Sequence, residues 1–538
     1  MKEKFTLMLL AGIISSPLSA QEDLYLNSAM SIGENVTFYV GNDLELSSNA
    51  SLEAEPGATL LIEQDLINNA ANNAFKLKAN SSAYAQMQLN GSYSGSGALE
   101  HQMYFAGGWQ MVAASMNATS ASYFGNVGSS GPGHTTNTQN LFSWSGSDYV
   151  NVADNNGSIT PGVGYFGYVG TYGFRANSGV QSFSGTPNTS LSAPSLKNDI
   201  ASGTISIQGG LANQGWNLVA NPFTCALDFN QLTKSNLNNA FHVYDPNKSG
   251  GAGYEASSGA GISGTVIAPM QSFWVRASGN SPSLGSLSMA THCNLEESPK
   301  LFKNTPHFDR LVLRTAPLAD SSIQDYTVVA FIAQTSKGHD SQWDALKLAN
   351  TGDIPNIYSH ESDALAINAI DFGPNHPQTD SLAIAYQAPH HGQVYEISFD
   401  KSYMLYPYEV VLEDKKLGSF TDLNQNTYQF PYDSNYVDRF MLHFSSKTVG
   451  LDHLANPSAK QVQVWMHQGA IHYLANYKGQ AQLSLLDLSG RQLWHTDLHF
   501  SKDQAASIPL GRELPSGIYL LRSAEASGSV HTQKVFLK

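Results

Sequence analysis

An internal duplication constrains this chain more than any other feature. Gly108-Trp109-Gln-Met-Val-Ala-Ala opens one segment, and Gly215-Trp216-Asn-Leu-Val-Ala-Asn-Pro222-Phe opens another. A second landmark follows each: Pro161-Gly-Val-Gly-Tyr165-Phe166-Gly-Tyr in the first, Pro269-Met-Gln-Ser-Phe273-Trp274-Val in the second. The Trp-to-Pro spacings are 52 and 53 residues, so the segments match in length as well as in motif. Residues 106–300 are expected to form two related β units. In each, a Trp strand packs against an aromatic strand; Phe241-His-Val-Tyr244 lies between the landmarks of the second.

A shorter repeat precedes this pair. Val36-Thr-Phe38-Tyr-Val40-Gly-Asn-Asp43-Leu44 matches Ala58-Thr-Leu60-Leu-Ile62-Glu-Gln-Asp65-Leu66 after a shift of 22 residues. Apolar residues alternate in both copies, as a half-buried strand requires. Gly33, Gly41 and Gly57 mark corners. Residues 21–105 therefore read as stacked rungs of a short β-solenoid, with a third, weaker rung near Ala83–Leu89. An antiparallel meander is the competing arrangement. Residues 301–450 carry eight strand-like runs, from Arg310–Thr315 to Arg439–Phe444, which suggests a jelly-roll-like sandwich.

The end of the chain is again a series of short runs: 462–468, 470–476, 481–488, 492–498, 506–510, 517–523 and 531–538. Each is bounded by Gly, Pro, Ser or Asn. Seven strands at this spacing predict a small Ig-like sandwich. Asp487-Leu-Ser-Gly490-Arg491 is a hairpin turn, and Leu514-Pro515-Ser516-Gly517-Ile518-Tyr519 turns straight into a strand. Lys534-Val-Phe-Leu-Lys538 is apolar strand to the last residue.

Taken in order, these motifs resemble the type A C-terminal sorting domain of Bacteroidetes proteins exported by the type IX secretion system. Asn456-Pro457 stands where that family opens with a Pro-Asn-Pro-like element, with Ala455 replacing the first Pro. The resemblance covers about a sixth of the chain. It implies that an outer-membrane translocon recognises residues 451–538 and that a sortase-like peptidase removes them, leaving the protein surface-attached or released. The sorting-signal residues so implied are Asn456, Pro457, Asp487, Gly490, Arg491, Gly517, Tyr519, Lys534 and Lys538. The GWNLVANPF and SFWVRA stretches resemble a module of large Bacteroidetes surface proteins that brings no catalytic role. Trp343-Asp344-Ala-Leu-Lys347, Leu412-Glu-Asp414-Lys415 and Asp438-Arg439-Phe440 resemble a surface domain that precedes sorting domains. Asp344, Lys347, Asp438 and Arg439 read as turn and ion-pair residues.

Residues 1–20 read as a secretory signal peptide. Lys2 and Lys4 precede the apolar run Phe5–Ile14, and Ala20 is the small residue at the cut. Leu18, three residues before the cut, is larger than usual there. No later stretch approaches the roughly 18 apolar residues of a spanning helix, so a soluble mature protein without a membrane span is expected. A length of 538 residues suggests three to five domains. Charged residues are only 13% and hydrophobic residues 41%, a balance that suits extracellular β domains with real cores. The net charge of −15 argues against nucleic acid and anionic membrane.

Cys225 and Cys293 either pair after export or remain as two buried thiols. Pairing would add about 4 kcal/mol through loop entropy. Gly162-Val-Gly164-Tyr-Phe-Gly167 is a literal G-x-G-x-x-G, but no βαβ unit surrounds it, so a dinucleotide is rejected. Asp245-Pro-Asn247-Lys-Ser249-Gly250 resembles the front of a calcium loop. Its acid, Glu255, falls at position 11 rather than 12, and a Gly-rich hairpin explains it better. His390-His391 would point to opposite faces of a strand and lack a third ligand; a turn at Gly392 fits them. Trp144, Tyr165, Tyr244 and Trp274 could stack on sugars if exposed, although strand aromatics in a sandwich usually form core.

No G-x-S-x-G elbow, zincin motif or P-loop is present, and every segment already has a structural reading. The expectation is an all-β, multidomain, non-catalytic exported protein without a cofactor. Adhesion or extracellular scaffolding is its expected role, with glycans or surface proteins as partners. The alternative is a carbohydrate-binding protein accessory to secreted hydrolases.

Overall fold

Alternating apolar residues put β-strands throughout the described residues. The computed structural model describes residues 18–20, 22–128, 139–146, 148–192, 215–245, 253–258, 265–277, 285–290, 309–350, 352–361, 363–372, 379–404, 408–434, 436, 438–446, 462–467, 470–475, 478–487, 491–500, 504–510, 517–525 and 530–537. The only helical elements among them are three single turns of 3-10 helix. The chain divides into two compact units: Met1–His307 with Ser341–Thr351, and Phe308–Asp340 with Gly352–Lys538.

The N-terminal rungs form a three-sided parallel solenoid. Thr37–Val40, Leu44–Leu46 and Ser51–Ala54 make one coil, and each pairs in parallel with its counterpart in the next. Phe38 lies opposite Leu60, and Leu44 opposite Leu66, the 22-residue shift of the sequence repeat. Leu24, Leu44 and Leu66 thereby stack in one interior column. Burying each such leucine contributes about 1.5–3 kcal/mol, and a column repeats the gain at every coil. Gln86–Leu89 supplies the weaker third rung, with Met87 opposite Leu60.

Both ends of the stack carry further pairing. Leu18–Ala20, assigned to the end of the signal peptide, pairs in parallel with Phe38–Val40, whose free edge offers unpaired backbone groups. At the other end the boundary at residue 105 is crossed. Gly179–Gly185 pairs antiparallel with Leu99–Phe105. The loop at 221–226 then covers the last rung. Met87 N donates to Thr224 O at 3.0 Å, Thr224 Oγ1 to Met87 O at 2.9 Å, and Ala226 N to Gln86 Oε1 at 3.1 Å.

The duplication is exact in topology. Gly108–Val112, Tyr165–Val169, Leu141–Trp144 and Tyr149–Asn151 form one four-stranded sheet in that order. Trp216–Ala220, Ser272–Ala277, Leu237–Asp245 and Gly253–Ser258 form the other in the equivalent order. Registers also agree: Trp109 faces Tyr168 and Met111 faces Phe166, as Trp216 faces Arg276 and Leu218 faces Trp274. The copies meet about a local twofold axis, because the bridge Val163–Val219 is the counterpart of the bridge Val112–Gln271.

Residues 341–350, read from sequence as part of the 301–450 region, lie along the second Trp sheet. Asn239 N donates to Ser341 O at 2.7 Å and Ser258 Oγ to Trp343 O at 2.8 Å. His242 Nε2 meets Leu346 O at 2.6 Å, and Tyr254 N donates to Asn350 Oδ1 at 2.9 Å. With Asn239 Nδ2 donating to Gln342 O at 3.1 Å, five bonds tie this stretch to the sheet, four of them accepted by its backbone carbonyls.

All eight runs expected between 310 and 444 are strands, joined by Asn356–His360 and Ser419–Asp422. They do not form two separate sheets. One hydrogen-bonded order runs from Ser419–Asp422 through Tyr408–Asp414, Phe440–Ser446, Thr379–Gln387, Asn356–His360, Ala364–Ile370, Asp325–Phe331, Arg310–Pro317 and Val394–Asp400 to Tyr428–Pro431. The sheet folds over on its apolar face, bringing Phe430 to 4.8 Å from Phe440 and Phe331 to 4.8 Å from Tyr408. The seven C-terminal strands appear as expected. Val462–His467, Ala470–Ala475 and Gln504–Pro509 form one sheet; Gln492–Phe500, Gly479–Leu486, Gly517–Glu525 and Val530–Leu537 form the other.

Candidate functional site

Motifs far apart in the tail converge at one end of its four-stranded sheet. Gly479–Leu486 runs into the turn at Asp487. Gly517–Glu525 is antiparallel to it, with Leu486 opposite Leu520, so Gly517–Tyr519 begins at the same end. Val530–Leu537 finishes there too, with Leu537 opposite Gly517 and Lys534 opposite Leu520. Asp487 closes the turn: Arg491 N donates to Asp487 Oδ1 at 3.0 Å, Arg491 Nε to Oδ2 at 3.1 Å, and Asp487 N to Arg491 O at 3.0 Å. The Arg491 side chain stays largely exposed. Tyr519 is buried with Leu483, Leu485 and Leu521 and anchors this end to the core. Asn456, Pro457, Gly490 and Lys538 lie outside the described residues.

The aromatics proposed as a sugar platform turn inward. Trp274 and Tyr165 are buried, at 4% and 3% exposure. Trp144 and Tyr244 are half-buried in the layer between the Trp sheets. The Trp144 ring meets Trp274 edge-on at 5.0 Å, and Phe166 meets Tyr244 edge-on at 5.0 Å. Trp144 Nε1 donates to Trp216 O at 2.9 Å, which satisfies the indole inside the layer. Burial pushes the Tyr244 and Tyr165 hydroxyls up to about 12. These four side chains form no flat exposed face: Trp144, Tyr244 and Trp274 lie in the layer that the two equivalent sheets bury between them, and Tyr165 packs on Phe124 in a separate core.

The remaining motifs have structural roles. Gly162 takes φ +84° in the turn before the strand Tyr165–Val169. Gly164 lets that strand approach the second copy: a methyl there would lie 2.7 Å from the Val219 carbonyl oxygen. His390 Nε2 lies 3.1 Å from Asp353 Oδ1, and His391 Nδ1 lies 3.3 Å from Ser434 Oγ, both in an exposed turn at Gly392. Asp344 and Lys347 are buried, while Asp438 is exposed 3.3 Å from His360 Nδ1. Arg439 pairs with Asp414, a partnership the sequence did not indicate; Nη2 and Nε lie 2.5 and 2.9 Å from Asp414 Oδ2. Residues 246–252 of the calcium-like loop lie outside the described residues. Among the described residues no three His, Cys, Asp or Glu side chains converge on a metal-sized site. Cys225 is fully buried and disulfide-bonded. Cys293, the other cysteine of the sequence, lies outside the described residues.

A family model described as a domain of unknown function (DUF8693) matches residues 244–444, less than half of the chain. The match begins inside the second Trp sheet, takes in the 341–350 segment laid across it, and ends in the last strand of the folded-over sheet. No curated protein matches the chain.

Proposed function

We propose that this is a non-catalytic protein of the cell surface or extracellular space, delivered by type IX secretion through its C-terminal domain. One observation carries the reading. The Asp487–Arg491 turn, the Gly517–Tyr519 strand start and the final strand form a single patch at one end of one sheet. A translocon that reads a folded domain needs such a compact patch, whereas motifs scattered over the sandwich would offer it nothing. The disulfide at Cys225 supports passage through an oxidising compartment. Among the described residues no helix is long and apolar enough to cross a membrane.

Adhesion or extracellular scaffolding is the role we assign, with the outer-membrane translocon and a sortase-like peptidase as delivery partners. The carbohydrate-binding alternative loses support at the four inward-facing aromatics. Deleting Gly511–Lys538 is the test. Trapping of the truncated protein in the periplasm, read by cell fractionation, is the expected result; surface delivery at the normal level would sink the assignment.

A further inference from the structure

An open pocket of about 510 Å³ lies on the first unit, lined by Asn230, Leu232, Lys234, Leu237, Asn239, Ser341 and Gln342. Its size suits a small ligand. Lys234 is its one charged side chain and is half-buried. Nζ donates to Phe229 O at 2.6 Å and sits 4.5 Å from the centre of the Phe229 ring. Those contacts hold the ammonium in place but satisfy only one of its three N–H donors. No carboxylate among the described residues lies within ion-pair distance of it. Asp228, which acts on it electrostatically, accepts from Asn230 N at 3.0 Å. Burial accordingly holds the ammonium below its ordinary range, with Asp228 countering only in part. A half-buried cation with no carboxylate in ion-pair contact among the described residues is costly, and stands out in a chain of net charge −15.

The rest of the lining says what else the ligand carries. Asn230, Ser341 and Gln342 are neutral groups that hydrogen-bond hydroxyls, the Asn239 amide donates to Gln342 O at 3.1 Å, and Leu232 and Leu237 offer an apolar floor for a ring face. We propose that this pocket binds a carboxylate-bearing sugar of the uronic acid class, its carboxylate on Lys234 and its hydroxyls on the amide and serine side chains. This goes beyond the delivery reading and does not depend on it, because binding is measured on purified protein.

The test uses ligand-observed saturation-transfer NMR on the purified full-length protein with glucuronate, glucose and acetate as probes. Glucuronate should bind at least ten-fold more tightly than glucose, and acetate at equal concentration should not displace it. Lys234→Gln should abolish the preference and Lys234→Arg should keep it. Ser341→Trp, at an exposed position on the rim, should block binding while leaving the thermal midpoint unchanged. Equal binding of glucose and glucuronate, or full binding by Lys234→Gln, overturns the proposal. Displacement by acetate alone reduces the pocket to a bare anion site and overturns the sugar assignment.

Discussion

Gly164 and Ser272 occupy the same position in the two Trp sheets, and they meet at the local twofold axis. A methyl on Gly164 would lie 3.0 Å from Ser272 Cβ and 2.7 Å from Leu218 Cγ. Equivalent residues on such an axis compete for one space, so only one copy can keep its side chain. Ser272 uses that space twice: its hydroxyl donates to Val112 O at 2.5 Å and accepts from Tyr165 N at 3.3 Å. Gly164→Ser, which would make the copies alike, should destabilise the first unit by about 1–3 kcal/mol through overpacking. Ser272→Ala should cost about 1–3 kcal/mol by leaving buried backbone groups unsatisfied. Denaturant midpoints of the two variants check both, and a neutral Gly164→Ser would refute the close contact.

Trp216 is 6% exposed, packed with Met111, Leu218 and Trp274, and its carbonyl holds the Trp144 indole. Trp216→Ala should lower stability by about 3–5 kcal/mol, as for other buried aromatics cut to a methyl. Calorimetry is the measurement. An unchanged melting midpoint together with lost glycan binding would make Trp216 part of a ligand surface instead.

Both repeats could be read from sequence because each repeats side chains at a fixed spacing, as in the pairs Phe38 and Leu60, or Trp109 and Trp216. The orientation of the aromatic layer could not. Alternation separates the two faces of a strand, but it does not say which face another sheet covers, and that decided the fate of Trp144 and Tyr244. The 341–350 segment was hidden for a different reason. It is held largely through the carbonyls of Ser341, Trp343 and Leu346, and a backbone carbonyl leaves no mark in a sequence. Lys234 carries no motif either; only the fold reveals that no carboxylate among the described residues lies within ion-pair distance of it.

The Asp414–Arg439 pair is fully enclosed, with Tyr428 OH donating to Asp414 Oδ2 at 2.5 Å and the guanidinium 5.0 Å from the Phe430 ring centre. Arg439→Met should cost about 3–5 kcal/mol, because it strands a buried carboxylate. Replacing both partners, with Asp414→Leu added, should recover most of that loss. Burial pushes the Asp414 carboxyl up, but its hydrogen bonds to Arg439 and Tyr428 outweigh burial and the net shift is down. The pair's stabilisation is therefore complete above the unfolded carboxylate value of about 3.9, and it is lost only as pH falls through the lower folded value. Urea titrations of the single and double variants at neutral pH, and of the parent below pH 4, check these signs. A double variant no better than Arg439→Met would refute the stranded-charge account.

Acid should act on the first unit sooner, through two buried histidines. His101 stacks inside the solenoid opposite Leu77, its Nδ1 2.9 Å from Ser115 Oγ; His242 holds Leu346 O under the 341–350 segment. Burial lowers the first to about 3 and the second to about 4. Folded-state values below the unfolded one of about 6.5 mean that the unfolded chain takes up protons first. The stabilisation is whole above about pH 6.5, and it is lost as pH falls toward the folded values. Each histidine contributes at most about 1.4 kcal/mol per pH unit in that window. The Asp414 pair is still intact there, so the first unit should loosen before the folded-over sheet does. Hydrogen exchange followed by mass spectrometry at pH 7.0, 5.5 and 4.5, corrected for intrinsic rates, resolves the two units. His101→Gln and His242→Gln should each flatten the pH dependence of the first unit's protection and leave the second unit's unchanged. Equal slopes in parent and variants would show that neither imidazole is held neutral by the fold.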